Sequence, residues 1–180
     1  MLLEADRSQL LIVDEQERLM AAMQGAEAAL AASLRLIAAA RRLGMPITAS
    51  EQYPKGLGPT VAAVAATLPN DARLAKLHFA VTADAGLMGR LAGFARPQVV
   101  IAGVEAHVCV LQTAIALKRR GYQPAVVWDA VASRAAESKE LARDRLLANG
   151  VELVNSEMVV FEWLGAAGTP EFKDLSALVR

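Results

Sequence analysis

The sequence has few cysteines and histidines and no long apolar runs, so it offers little for disulfides, metal sites or membrane-spanning helices. It contains one cysteine in 180 residues, so no disulfide can form within the chain and nothing indicates an oxidising compartment. Its two histidines, His78 and His107, have no partners at metal-ligand spacing, which argues against a zinc site. No apolar run reaches the ~20 residues of a membrane-spanning helix, and the first residues lack the basic and apolar parts of a secretory leader.

Net charge of one sign is also missing. Nineteen basic residues balance nineteen acidic residues, so no overall field attracts the chain to nucleic acid or anionic lipid. The arginine pairs at 41–42 and 119–120 each end a predicted helix, where they complement the helix dipole without a ligand. We therefore expect a cytoplasmic protein whose partner is a small molecule, with no cofactor, no nucleic acid and no membrane.

Short apolar runs alternate with helical segments along the chain. The predicted strands are 8–13, 46–50, 73–76, 98–102, 124–128 and 151–154. The predicted helices are 26–43, 60–67, 84–94, 106–120, 136–149, 157–164 and 170–179, with a loop at 53–59. Because parallel strands need crossover connections, this alternation predicts one domain over residues 1–180. Its expected fold is a three-layer α/β/α sandwich with a six-stranded parallel sheet in the order 3-2-1-4-5-6.

Two reactive side chains follow the two strands at the centre of that order. Asp14 ends strand 1, and Cys109 lies in the helix that follows strand 4. Since ligands bind beyond the carboxyl ends of parallel strands, where strand order reverses, we expect the two side chains to face each other. A thiol in the first turn of a helix is favoured as thiolate by the dipole and by backbone N–H groups. A nearby carboxylate can accept the thiol proton.

Less specific interpretations remain open for these residues. A lone cysteine is often a small buried apolar side chain, and an aspartate after a strand often caps a helix or forms a surface turn. His107 precedes Cys109 by two residues, so the two side chains do not share a helix face, and His107 is expected to line a pocket. His78 is expected to be partly buried and hydrogen-bonded.

Several segments together resemble the isochorismatase-like cysteine hydrolase superfamily. They are Gln9-Leu10-Leu11-Ile12-Val13-Asp14-Glu15-Gln16, a lysine at the end of strand 3, and Gly103-Val104-Glu105-Ala106-His107-Val108-Cys109-Val110. Residues 50–60 and 170–173 are similar to the isochorismatase domain-containing protein branch. The resemblance implies a catalytic triad of Asp14, Lys76 and Cys109. It also implies a cis peptide bond between Val104 and Glu105 and an oxyanion hole formed by the backbone N–H groups of Glu105 and Cys109.

Departures from related enzymes narrow the expected reaction. Nicotinamidases of this superfamily carry an Asp-x-His metal cluster after strand 2, whereas this chain has Ser50-Glu51-Gln52 there, without an imidazole. Isochorismatases that cleave a vinyl ether generally lack the cysteine. We therefore predict a cysteine-dependent hydrolase of a small amide or related C–N acyl compound, acting through a thioester. Gln52, Tyr53, Phe79 and His107 are the candidate substrate-pocket residues.

Two other functions remain open. The chain could be a catalytically silent binding or scaffold protein that keeps the fold, or a thiol redox sensor that uses an intermolecular partner. Alkylation of Cys109 well below the ordinary thiol pKa of ~8.5 would favour a nucleophile. Self-association is also expected, because the Ala-rich helices and the segment after Gly165 offer flat surface for a symmetric homo-oligomer.

Overall fold

The computed structural model describes residues 1–179 and contains a six-stranded sheet. Its strands are β1 (Ser8–Val13), β2 (Ile47–Gln52), β3 (Arg73–Lys76), β4 (Gln98–Val104), β5 (Gln123–Ala132) and β6 (Glu152–Val154). They lie in the order β3-β2-β1-β4-β5-β6, and every neighbouring pair is parallel. The predicted fold class and strand order are therefore confirmed.

Helices cover both faces of this sheet. They are α1 (Glu17–Met20), α2 (Ala26–Arg42), α3 (Pro54–Leu57), α4 (Ala62–Ala65), α5 (Ala85–Gly93), α6 (Leu111–Arg119), α7 (Ala136–Ala148), α8 (Ser156–Leu164) and α9 (Pro170–Ser176). Short 3-10 turns lie at Val81–Ala83 and Ala177–Val179. In the described part of the chain, no helix has both the length and the apolar character to cross a membrane.

Alternate side chains of β1 define two cores. Leu10 and Ile12 pack with α2, α8 and α9 on one face, whereas Leu11 and Val13 pack with α5, α6 and α7 on the other. All six residues of β1 are buried because helices cover both faces, and this explains the continuous apolar run at 10–13. Cys109 belongs to the second core.

The structure differs from the sequence prediction at several boundaries. β5 continues to Ala132, and its pairing with β4 shifts between Ile101 and Gly103, so the strand bends where the apolar run ends. The expected loop at 53–59 contains α3, which begins with a proline in its first turn. The expected helix 106–120 begins as a π-helical turn, Ala106–Val110, before α6.

Candidate active site

The carboxyl end of β1 carries Asp14 in an unusual backbone conformation. Asp14 has φ 53°, in the left-handed region that aspartate tolerates better than most residues. Its backbone N–H donates to the Ser50 carbonyl at 3.1 Å, and its carbonyl accepts from the Gln16 N–H at 2.7 Å. These bonds turn the chain sharply after β1, and the Asp14 side chain is fully buried.

Gly103 allows β1 and β4 to approach each other closely at this point. It pairs with Val13 and has φ 116°, and a Cβ atom built on it would lie 2.1 Å from the Val13 carbonyl oxygen. Glycine adopts this positive φ without strain, and it has no side chain that would push the two strands apart. The two chain segments that carry Asp14 and Cys109 thus leave the sheet side by side.

The segment after β4 carries the cysteine. A cis peptide bond joins Val104 to Glu105, and the π-helical turn Ala106–Val110 follows directly. The Glu105 carbonyl accepts hydrogen bonds from two N–H groups of this turn, those of Val108 at 3.1 Å and Val110 at 3.2 Å. Cys109 is 3% exposed. Its side chain therefore faces the interior at the carboxyl edge of the sheet.

Lys76 reaches this edge from β3, which is separated from β1 by β2. Its Nζ donates to Asp14 Oδ2 at 2.7 Å and to Gln52 Oε1 at 2.7 Å. Both charged side chains of the Lys76–Asp14 ion pair are completely buried. Because β2 lies between β3 and β1, the strand order alone does not bring Lys76 next to Asp14. The contact forms because the lysine side chain passes over the end of β2.

Ser50 provides the second contact of the carboxylate. It pairs with Val13 in the β1–β2 register, and its hydroxyl donates to Asp14 Oδ1 at 2.6 Å. Each oxygen of the Asp14 carboxylate thus accepts one hydrogen bond, one from Ser50 and one from Lys76. Because a buried charge is stable only when it is paired and hydrogen-bonded, these donors explain how Asp14 can be ionised inside the protein.

The thiol is protonated in the resting site. Burial, together with the negative charge and side-chain hydrogen bonding of Asp14, raises the pKa of Cys109 to about 12, against a smaller lowering by Lys76. The expectation of a stabilised resting thiolate is therefore wrong. The physical reason is that burial and an adjacent carboxylate oppose the thiolate more strongly than the start of a helix favours it.

A second ion pair lies beside Cys109. Glu105 is almost fully buried, and Arg134 Nε approaches its Oε1 to 2.5 Å. The Glu105 charge is a further cause of the raised pKa of Cys109. The Arg134 side chain is 63% exposed, so it places a cation at the surface next to this end of the site.

The four candidate pocket residues have different surroundings. Gln52 is buried and directed at Lys76, whereas Tyr53 and Phe79 are exposed. His107 is half-buried, and its Nδ1 lies 3.0 Å from the Ser133 hydroxyl. His78 is exposed rather than partly buried. A cleft of about 210 Å³ opens beside Lys76 and is lined by Pro54, Ala75, Leu77, His78 and Asp84.

Sequence reasoning missed three polar residues around the site. Ser50 ends the predicted second strand, and this position at the carboxyl edge of the sheet could have indicated a contact with Asp14. Arg134 follows the bent part of β5, which the apolar pattern did not reveal. Glu15 is buried beneath α2, where Ser33 donates to it. In all three cases the tertiary fold determines the neighbours.

The family model of the isochorismatase domain matches residues 8–158. The chain belongs to the isochorismatase family. Isochorismatase domain-containing protein 1 of Salmo salar is 36% identical over 172 residues, which is 93% of this chain and 59% of that protein. The chain thus spans less than two thirds of this relative's length.

Two further isochorismatase-like proteins match this chain over a larger share of their own length. Isochorismatase domain-containing protein 2 of Bos taurus is 38% identical over 151 residues, covering 81% of this chain and 70% of that protein. The solved structure described as the MAR1 ribonuclease of Caenorhabditis elegans is 33% identical, with a TM-score of 0.93. That match covers 99% of this chain and 92% of the ribonuclease chain. The chain therefore has the hydrolase-like fold of the isochorismatase family.

Proposed function

We propose that the chain is a cysteine-dependent hydrolase of a small amide or related C–N acyl compound. The observation that carries this proposal is the burial of a carboxylate, an ammonium and a thiol together, with Lys76 bound to Asp14 and both acting on Cys109. Such a set provides a nucleophile, a proton acceptor and a fixed positive charge. Asp14, Lys76 and Cys109 are its catalytic residues.

The first half of the reaction forms the thioester. Because the thiol holds its proton at rest, proton transfer from Cys109 to Asp14 accompanies the attack of sulfur on the substrate carbonyl carbon. The carbonyl π electrons move to oxygen, and the backbone N–H groups of Glu105 and Cys109 stabilise the resulting negative charge. When this intermediate collapses, the C–N bond breaks and the amine leaves with the proton from Asp14. Removing one such oxyanion donor typically costs ~10²–10³ in rate.

The second half regenerates the thiol. Asp14 accepts a proton from water while the water oxygen attacks the thioester carbon. Collapse of the second intermediate breaks the S–C bond, releases the carboxylic acid and returns the proton from Asp14 to the Cys109 sulfur. The Lys76 ammonium group stabilises whichever partner, Asp14 or the Cys109 sulfur, is negative at each step.

A substrate screen with matched variants tests the proposal. Small amides, ureas and carbamates are assayed with the wild type, Cys109→Ala and Asp14→Asn, and folding of each variant is checked by cooperative unfolding. We expect hydrolysis by the wild type, none by Cys109→Ala and little by Asp14→Asn. Mass spectrometry of the quenched wild-type reaction should show an acyl adduct on Cys109. Full activity of Cys109→Ala would overturn the mechanism.

A ribonuclease activity is the second candidate, and it is favoured by the likeness to the described ribonuclease of Caenorhabditis elegans. The chain has no net charge, so RNA, a polyanion, would gain little electrostatic binding free energy from it. Asp14 and Lys76 are also buried. Both observations favour the amide reaction. RNA cleavage by purified Cys109→Ala protein would support the ribonuclease. A scaffold without turnover predicts neither hydrolysis nor an acyl adduct.

The setting in which the chain acts belongs to the same proposal. A catalytic thiol must stay reduced, which suits a cytoplasmic location. Its expected partners are a small-molecule substrate and further copies of the chain. The alanines of α2 offer only small side chains for a contact between copies, because Ala29, Ala32, Ala39 and Ala40 are buried in the core and the exposed ones are Ala28, Ala31 and Ala38. Exposed apolar side chains beside β3 provide a better surface for contact between copies of the chain.

A further inference from the structure

We propose that Gln52 is a positioning residue that holds Lys76 across the end of β2, where the lysine can act on Asp14 and on the Cys109 sulfur. The inference rests on the proposed function and deepens it. Gln52 lies on the strand between Lys76 and Asp14 and pairs directly with Lys76 in the β2–β3 register. It was expected to contact substrate, but its side chain is directed at the ammonium group.

The amide of Gln52 can present only its oxygen to Lys76. Oε1 accepts from Lys76 Nζ at 2.7 Å, while Nε2 donates to the Leu77 carbonyl at 2.8 Å. In the reversed orientation, the NH₂ group would face an ammonium and the oxygen would face a carbonyl, and both contacts would be repulsive. The side chain is therefore fixed in one orientation by its two neighbours.

The backbone of Gln52 is fixed as well. Its N–H donates to Gln16 Oε1 at 2.6 Å, and its carbonyl accepts from Gln16 Nε2 at 3.0 Å. Gln16 Nε2 also donates to the Gly58 carbonyl at 2.7 Å. Since Gln52 is 8% exposed, water cannot readily replace these partners. The residue is a rigid support rather than a mobile contact for substrate.

The neutral charge of this support matters for the chemistry. An ammonium has three N–H donors, and two of them go to Asp14 and Gln52. The remaining donor can serve the sulfur when it becomes negative, and Lys76 already lowers the pKa of Cys109. A carboxylate at position 52 would compete for the same positive charge, whereas the amide orients the lysine without neutralising it.

The test combines turnover with a measurement that needs no substrate. Gln52→Glu keeps the shape and adds a charge, Gln52→Leu removes the acceptor, and Gln112→Leu is the matched control on the exposed side of α6. We expect both Gln52 variants to lose at least ~10-fold in kcat with little change in KM. In both, alkylation of Cys109 by iodoacetamide from pH ~8 to ~10 should be slower and shifted to higher pH. The control should match the wild type in both measurements.

A double-variant cycle identifies the residue through which Gln52 acts. If Gln52 works by holding Lys76, Gln52→Leu should add no further alkylation shift once Lys76→Met is present. Additive alkylation shifts in the double variant would overturn the proposal. A raised KM with unchanged kcat and unchanged alkylation would also overturn it, because Gln52 would then be a substrate contact. Activity that survives in Cys109→Ala, together with the expected alkylation cycle, would overturn the proposed function and leave this inference standing.

Discussion

At the residue scale, the protonation of Cys109 sets how the reactivity of its thiol depends on pH. Burial and Asp14 raise the pKa of Cys109 to about 12. Its thiolate fraction near neutral pH is therefore roughly a thousandfold below that of a simple thiol with a pKa of ~8.5. We expect iodoacetamide to label the native chain slowly, with a rate that still rises at pH ~9. The urea-unfolded chain is the control, since Cys109 is the only thiol. A plateau reached below the pKa of a simple thiol would contradict this prediction.

The buried carboxyl of Glu15 links protonation to stability at the same scale. Desolvation raises the pKa of Glu15 from 4.5 to about 8, against a lowering by the Ser33 hydroxyl. Among residues 1–179 its Oε2 finds no hydrogen-bond donor. Because the folded-state pKa is above the unfolded value, the folded chain binds more protons between these two pH values. The contribution to stability is complete below pH 4.5 and is lost as the pH rises through about 8.

Replacing Glu15 by glutamine should remove that dependence. We expect the free energy of unfolding of Glu15→Gln, relative to wild type, to increase with pH between about 4.5 and 8, by up to about 5 kcal/mol. Urea unfolding at a series of pH values measures the difference. The change Glu137→Gln, at an exposed site in the first turn of α7, controls for the loss of one negative charge. A difference that is constant with pH would show that Glu15 is not the titrating group.

At the element scale, Gly103 joins the two strands that carry the site. An alanine Cβ would come within 2.1 Å of the Val13 carbonyl oxygen, so Gly103→Ala must separate β1 from β4. We expect a loss of about 2–4 kcal/mol in the free energy of unfolding and a large loss of activity. Gly89→Ala on α5 is the matched control, because nothing lies within 4 Å of the added atom. It should stabilise the chain by about 0.5–1 kcal/mol. Equal stability of the two variants would exclude the strand-spacing argument.

The elements also show how far the sequence predicts this protein. The buried strand β1 and the edge strand β3 have the predicted bounds, and the strand order put Asp14 and Cys109 on neighbouring segments. The π-helical turn before α6 could not be predicted, since helical periodicity does not distinguish how the first turn is hydrogen-bonded. Lys76 reaches over β2 to contact Gln52 and Asp14, which lie far from it in sequence, so no local pattern predicts these contacts. The raised pKa of Cys109 depends on burial, which only the tertiary fold sets.

At the scale of the whole molecule, one group of exposed apolar side chains lies beside the candidate active site. Tyr53 is 51% exposed, Leu77 71% and Phe79 53%. They are close in space, because the Tyr53 N–H donates to the Lys76 carbonyl at 2.9 Å and Leu77 follows Lys76. Several large apolar side chains exposed on neighbouring segments are typical of an interface. We therefore place the proposed contact between copies of the chain here.

Sedimentation of matched variants tests this contact. The wild type should sediment as an oligomer of the 19.1 kDa chain, and the double variant Leu77→Ser, Phe79→Ser should dissociate because it removes the apolar area that association buries. The control is Leu141→Ser, Leu147→Ser, which changes two equally large exposed side chains on α7 and should leave the oligomer intact. A monomeric wild type at micromolar concentration would refute self-association. Dissociation of the α7 variant alone would instead place the interface at α7, away from β3.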